Sequence, residues 1–383
     1  MTTQATLHWT ENGEERSADW RSEAGMPPPK RVVIADDTTS ADTAYRLACE
    51  GTAMLWRGDF QNARQLLQAL ARRADKPKKA PKAGKAPLVK PTPTEAFHLH
   101  RQAQSQRART LAMLLLPFDA DHLVPLRRAP DTREACLEAY GEADAPYVAS
   151  MRELLGLIGA HEWRKKGVEI PALGDRIHPY YGVFSPVRGE YIDLVAKAQL
   201  PAGAASLAFD IGTGTGVLAA LLAQRGVKRV IATDQDPRAL ACASDNIRRL
   251  GMDDQVEVTE ADLFPAGRAP LVVCNPPWVP ARPNSPIERA VYDPDSQMLK
   301  GFLAGLAEHL EPKGEGWLLL SDLAEHLGLR TREALLGWIE EGGLKVLGRL
   351  EVKPHHPKAA DQTDALHAAR SAEVTSLWRL AIR

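Results

Sequence analysis

Eight residues, Phe209-Asp210-Ile211-Gly212-Thr213-Gly214-Thr215-Gly216, constrain this chain most. They end an apolar run, Leu207 to Ile211, and open a helical pattern from Gly216 to Arg225. Glycines at alternate positions let the backbone turn sharply and let a ligand approach it closely. A strand leading through such a turn into a helix is the start of a crossover unit, and crossovers build parallel sheets. The pattern then repeats. Arg229 to Thr233, Val256 to Glu260, Leu271 to Asn275 and Gly316 to Ser321 read as strands. Arg238 to Leu250, Gln297 to Leu310 and Arg332 to Glu341 read as helices between or after them. Lys345 to Val352 and Glu373 to Ile382 read as a closing antiparallel pair. The expected fold class is α/β: a doubly wound, seven-stranded, Rossmann-like sheet with an antiparallel edge hairpin, preceded by a helical N-terminal region.

The glycine spacing decides between ligands. A dinucleotide fingerprint starting at Gly212 requires glycine at position 217, which is Val217. No Gly-Lys-Ser/Thr follows, so a phosphate loop is excluded too. Asp210 stands two residues before the first glycine, poor company for a pyrophosphate and good company for a cationic amino-acid end. Asp234 ends the next strand, 24 residues past Asp210. An acid there can accept two hydrogen bonds from ribose hydroxyls. Asp236, before Pro237, is the alternative acid, or a helix cap. Asp210-x-Gly212-x-Gly214-x-Gly216 resembles the first motif of class I S-adenosyl-L-methionine methyltransferases. The resemblance implies S-adenosyl-L-methionine as cofactor, held by Asp210, Gly212, Thr213, Gly214, Gly216 and Asp234. It also implies that Asp262, in Ala261-Asp262-Leu263-Phe264, accepts from the adenine amine.

The fourth strand ends in Asn275-Pro276-Pro277-Trp278. An amide or exocyclic amine is a weak nucleophile, because its lone pair is delocalised. The Asn275 side-chain oxygen and the Pro276 carbonyl can both accept from such an NH2 group, aiming its lone pair at a sulfonium methyl. Pro276 and Pro277 fix the backbone, and Trp278 offers a face for a planar acceptor. Transfer then rests on proximity and orientation, with the proton leaving late. The alternative is a plain proline-rich loop. The combination resembles N-methyltransferases acting on adenine, guanine or glutamine-amide nitrogens, in which Tyr or Phe is commoner than Trp at the last position.

Two more stretches resemble the HemK-type enzymes that methylate a glutamine amide of release factors. One is Tyr181 to Glu190 and the other runs from Val291-Tyr292-Asp293-Pro294 to Leu306. In the first, Pro186 and Glu190 match with altered spacing. Gly182-Val183-Phe184-Ser185 is also similar to ribosomal-RNA guanine N2-methyltransferases. The resemblance covers about residues 180–383 and implies that Phe184, Pro186 and Glu190 face the substrate. It implies a macromolecular acceptor, a protein glutamine or another component of the translation apparatus. The alternatives are a ribosomal or transfer RNA (or DNA) base, at adenine N6 or guanine N2, and a non-catalytic cofactor-binding module.

The remainder divides by composition. Residues 1–75 read as a polar, poorly ordered stretch to about 30 and then a pair of amphipathic helices, with Asp59 capping the second. Residues 76–94 form a linker with six lysines, five prolines and no acid, either a solvated tether or a basic arm for phosphate. Residues 95–178 read as a helical substrate-recognition region. Its Arg101, Arg107 and Arg109 form either a phosphate-facing set or an ordinary exposed helix surface. Residues 179–383 form the methyltransferase-like domain. A net charge of -1 gives no global basic field. Cys49, Cys136, Cys242 and Cys274 have no Cys-x-x-Cys spacing and read as reduced thiols. His161-Glu162 lacks a second His, and His98, His100, His355 and His356 lack ligand-like neighbours, so no metal is expected. A polar start and no long apolar run point to a cytoplasmic protein without a membrane segment. Oligomeric state is not legible.

Overall fold

The computed structural model describes residues 5–76, 91–187, 189–283, 285–354 and 364–383. The chain divides into two units, Met1–Pro91 with His98–Glu162, and Thr92–Phe97 with Trp163–Arg383.

In the first unit, β1 (Thr6–Glu11) and β2 (Glu14–Trp20) form an antiparallel hairpin. Its two-residue turn is Asn12-Gly13, both at positive φ, the pairing whose twist matches that of the strands. The expectation of a poorly ordered start is corrected here, since Leu7 and Trp20 are buried. Next come β3 (Val32–Ala35), α1 (Ala41–Cys49), β4 (Ala53–Trp56) and α2 (Phe60–Ala74). Asp59 caps α2, its carboxylate accepting from the Gln61 N–H at 2.8 Å. After α3 (Pro93–Leu111) follow β5 (Leu114–Phe118), α4 (Arg133–Tyr140), β6 (Tyr147–Ser150) and α5 (Met151–Lys166). The strands form one six-stranded mixed sheet ordered β1-β2-β6-β5-β4-β3. A helical N-terminal region is therefore wrong for this stretch. Strands β4 and β6 are four residues each and wholly buried. Such short apolar runs carry no period that separates strand from helix.

The second unit opens with a small antiparallel pair, β7 (Val168–Ile170) and β8 (Asp175–Ile177), then α6 (Glu190–Lys197). The alternating pattern follows as expected: β9 (Ala208–Ile211), α7 (Val217–Gln224), β10 (Val230–Asp234), α8 (Pro237–Arg249), β11 (Val256–Glu260), β12 (Ala269–Cys274), α9 (Gln297–His309), β13 (Leu310–Ser321), α10 (Leu323–His326), α11 (Arg332–Glu341), β14 (Leu344–Val352) and β15 (Thr375–Ile382). These seven strands order as β11-β10-β9-β12-β13-β15-β14. The first five are parallel, and β15 runs antiparallel to both β13 and β14. This is the expected doubly wound, Rossmann-like sheet with its edge hairpin.

Strand periodicity sorts the core into two layers. Leu271 and Val273 of β12 pack with α6 and α7, and Val272 and Cys274 pack with α9 and α11. Val217 through Ala223 are all buried, so α7 is apolar on every side because sheet and neighbouring helices enclose it.

Candidate active site

The winding direction of the sheet reverses between β9 and β12. From β9 the chain steps outward to β10 and β11, then returns to the other side for β12 and β13. Loops leaving two such neighbours diverge to opposite faces and leave a crevice at the carboxyl edge. Ile211 lies opposite Thr233 on β10 and Cys274 on β12. Gly212, Asp234 and Asn275 therefore leave the sheet at one level.

The glycine loop is shaped by backbone strain that only glycine avoids. Gly212, Gly214 and Gly216 sit at φ of 69°, 57° and 79°, where another residue costs about 1–2 kcal/mol each. A Cβ on Gly216 would lie 3.3 Å from the Ala243 backbone of α8, whereas one on Gly214 would meet nothing within 4 Å. Gly216 thus permits close helix packing, and Gly214 leaves room above the loop. Gly216 has no side chain to cap α7. Asp210, at the end of β9, supplies the cap: its Oδ2 accepts from the Thr213 hydroxyl at 2.6 Å and the Ala219 N–H at 3.1 Å. The carboxylate is 1% exposed. Burial pushes its pKa up to about 6 against the lowering effect of those two bonds. Asp210 holds the loop from beneath.

Asp234 holds the same loop from the side. Its Oδ2 accepts from Gly214 N–H and its Oδ1 from Asp236 N–H, both at 3.0 Å. Each carboxylate oxygen accepts more than one bond, so acceptor capacity remains. Asp236 is the α8 cap, accepting from Arg238 N–H at 2.9 Å. Asp262 is exposed and accepts from the Gln235 amide at 2.5 Å. The backbone after it is clamped: buried Thr233 donates its hydroxyl to the Leu263 carbonyl at 2.5 Å, and Leu263 has φ of 67°. Leu263 and Phe264 lie over two glycines of α9. A Cβ on Gly301 or Gly305 would approach them to 2.8 and 2.7 Å. The small residues one helical turn apart make the groove in which this loop rests.

At the turn after β12, Trp278 Nε1 donates to Asn275 Oδ1 at 2.9 Å. The indole lies against both faces of the sheet core and a third cluster of Phe97, Val279, Leu327, Leu366 and Ala369. Arg330 is 5% exposed and donates to the Trp278 and Ser321 carbonyls at 3.5 and 3.4 Å. Burial lowers its pKa. The turn continues through Val279, whose carbonyl accepts from Asp293 N–H at 2.9 Å. Asp293 in turn caps α9, its two oxygens accepting from Met298 and Leu299 N–H at 3.1 and 3.2 Å. Burial raises its pKa. Met298 covers the place where a Cβ on Gly212 would project. Cys274, directly before Asn275, is fully buried. Burial holds its thiol well above the ordinary range, so it offers no thiolate nucleophile.

Phe184 packs beside the core with its ring 6.5 Å from that of Tyr191. Pro186 is buried, and Glu190 opens α6, where an acid complements the helix dipole. Phe184 and Glu190 thus serve the scaffold at the least. Sequence reasoning missed Thr233, Gln235, Asn246 and Arg330. Asn246 of α8 donates to the Thr215 carbonyl of the glycine loop at 3.0 Å and accepts from His178 N–H at 2.8 Å. Its only signal was an amide on the inner face of an amphipathic helix. Lys78 to Lys90, Arg188, His355 and His356 lie outside the described residues. Among the described residues no group of three or more His, Cys, Asp and Glu is placed to hold a metal. Among them, too, no helix is long and apolar enough to cross a membrane.

Residues 196–276 match the family model of ribosomal protein L11 methyltransferase (PrmA). The match runs from α6 through the glycine loop, Asp234 and Asp262 to Pro276. The chain is 33% identical over 175 residues to the release factor glutamine methyltransferase of Cereibacter sphaeroides, covering 42% of this chain and 58% of that protein. It is 32% identical over 180 residues to the ribosomal protein L11 methyltransferase of Pelotomaculum thermopropionicum, covering 45% and 55%. It is 26% identical over 202 residues to the tRNA1(Val) (adenine(37)-N6)-methyltransferase of Shewanella loihica, covering 49% and 80%. The chain spans less than two thirds of the length of the first two relatives. The family match, residues 196–276, lies wholly within the second unit.

Proposed function

We propose that the chain is an S-adenosyl-L-methionine-dependent N-methyltransferase acting on a planar amide or exocyclic amine nitrogen. The acceptor we favour is a glutamine side chain of a protein of the translation apparatus. One observation carries the reading: the Asn275 carboxamide stands at the switch point, beside a loop whose glycines leave open space above Gly214.

The residues present fit the cofactor. Asp234 suits a ribose diol, the exposed Asp262 suits an adenine amine, and the backbone of Gly212 to Gly214 allows close approach. When bound, S-adenosyl-L-methionine supplies an electrophilic methyl on a sulfonium. The chain does the rest. Asp210 and Asp234 keep the loop in one shape, so little reorganisation is needed on binding. Asn275 Oδ1 and the Pro276 carbonyl accept from the acceptor NH2, and Trp278 gives the planar acceptor group a face. Phe184, Pro186 and Glu190 flank the entrance to this domain in sequence and are proposed to shape the substrate side. Recognition of the larger acceptor is assigned to residues 95–178, which the family match leaves out.

A nucleic-acid base is the second reading, supported by the likeness to the tRNA enzyme. Against it, Arg107, one of the three arginines that a phosphate-facing set would need, pairs with Asp75 at 2.6 Å. The test is transfer of a tritiated methyl into lysate of cells lacking this chain, followed by protease or nuclease digestion. Protease-sensitive label that releases N5-methylglutamine supports the proposal. Label lost only to nuclease moves the acceptor to a base. Cofactor binding with no label in any fraction leaves a non-catalytic module and overturns the proposal.

A further inference from the structure

We propose that Trp278 is a positioning residue that sets which way round the Asn275 carboxamide stands. The proposal rests on the acceptor reading above. A carboxamide has one accepting and one donating end, and the two are similar in size and shape. Left alone in a crevice, it can present either end. An indole N–H only donates. With Trp278 Nε1 at 2.9 Å, the near atom must be Oδ1, so the chemistry of the donor fixes the assignment of the amide. One lone pair of Oδ1 then faces Trp278, and the other remains for an acceptor N–H. The reverse orientation would place Nδ2-H2 against the indole N–H, donor against donor. The ring itself is immobilised, because three apolar clusters meet on it, and Arg330 binds the carbonyl of the same residue.

This gives the tryptophan a task that a phenylalanine at the same position does not perform. A phenyl ring offers the same kind of face to a planar acceptor but leaves the amide free to turn. It also implies a selection rule. The site presents an acceptor-only oxygen to the incoming group, so it favours a nitrogen carrying hydrogen over one that does not.

The experiment is steady-state methyl transfer with the protein fraction of the lysate as acceptor, diluted serially for an apparent KM. Cofactor affinity by titration calorimetry serves as the check on folding. Trp278→Phe is expected to lower kcat about fivefold to tenfold, with KM and cofactor Kd changed less than about twofold. In Asn275→Asp the two oxygens are equivalent and orientation no longer matters. There, adding Trp278→Phe is expected to change kcat by less than about twofold. Three results overturn the proposal: Trp278→Phe with unchanged kcat, Trp278→Phe with raised KM alone, or an equal loss in both backgrounds. If Asn275→Ala keeps wild-type transfer, it is the acceptor reading that fails, and that result is distinct from the other three.

Discussion

The two loops that meet at the switch point are built by different means. The loop after β9 is held by carboxylates gripping backbone: Asp210 takes Ala219 N–H, and Asp234 takes Gly214 and Asp236 N–H. The turn after β12 is held by proline, by a side-chain pair in which Trp278 takes Asn275, and by the Arg330 side chain on the Trp278 carbonyl. A backbone-made loop depends on conformation, and it tolerates few residues where φ is positive. A side-chain-made turn depends on particular functional groups, so it can be retuned by one substitution without refolding. On the proposed chemistry the fixed loop serves an invariant cofactor, and the adjustable turn serves the acceptor.

The comparison breaks if the two loops do not separate in their effects. Asn275→Ala should give the largest change, a fall of about 10²-fold in kcat, the scale set by losing one preorganised polar contact to the reacting group. Cofactor Kd, read by calorimetry, should stay within about twofold. Asp234→Ala should do the opposite. It removes the carboxylate of the diol site and two backbone bonds, so Kd should rise by about tenfold or more. If Asn275→Ala weakens cofactor binding as much, the two loops are one unit and the division is wrong.

A pH experiment sharpens the account of Asp210. Its pKa rises from 3.8 to about 6 in the folded chain. The folded state therefore holds this proton more tightly than the unfolded state. Ionising the group costs stability above its folded value, and that cost is relieved as pH falls through about 6 toward 4. Relative to Asp210→Asn, which has no such titration, the wild type should gain about 1 kcal/mol between about pH 7 and about pH 5. Urea denaturation of both proteins at several pH values measures this directly. A difference that stays flat across that window would mean the carboxylate is not buried as described.

What the sequence revealed follows the same division. The glycine loop was legible because positive φ leaves a mark on residue type, and Asp210, Asp234 and Asp262 were singled out by their place at or after strand ends. Asn275 and Trp278 were singled out too, but the bond between them was not, because it needs two side-chain directions that only the fold supplies. Thr233 on Leu263, and Asn246 on Thr215, escaped for the same reason: each joins elements far apart in the chain. The second unit read well because most strands of its large sheet are set apart by helices with their own period or, between β11 and β12, by a polar loop. In the first unit, Leu114–Phe118 follows α3 after two residues and Tyr147–Ser150 runs straight into α5. A short buried strand fused to a helix looks like more helix. The Asn12-Gly13 turn was the one overlooked signal that residue type alone carried.

The smallest expected effect separates two acids that the sequence could not. Asp234 and Asp236 stand two residues apart at the end of β10, and either fits a ribose by spacing. In the structure, Asp236 accepts from Arg238 N–H and caps α8, while Asp234 accepts from the glycine loop. Asp236→Ala deletes the cap. The Asp236 N–H still reaches Asp234, because that bond is made by backbone. Loss of such a cap costs about 1 kcal/mol, which lowers Tm by about 2–4 °C in a domain of this size. Cofactor Kd should move less than about twofold. Calorimetric scanning and titration on the same variant read both quantities. Should Asp236→Ala weaken cofactor binding as far as Asp234→Ala does, the ribose assignment belongs to the pair, and the loop after β9 depends on α8 as much as on β10.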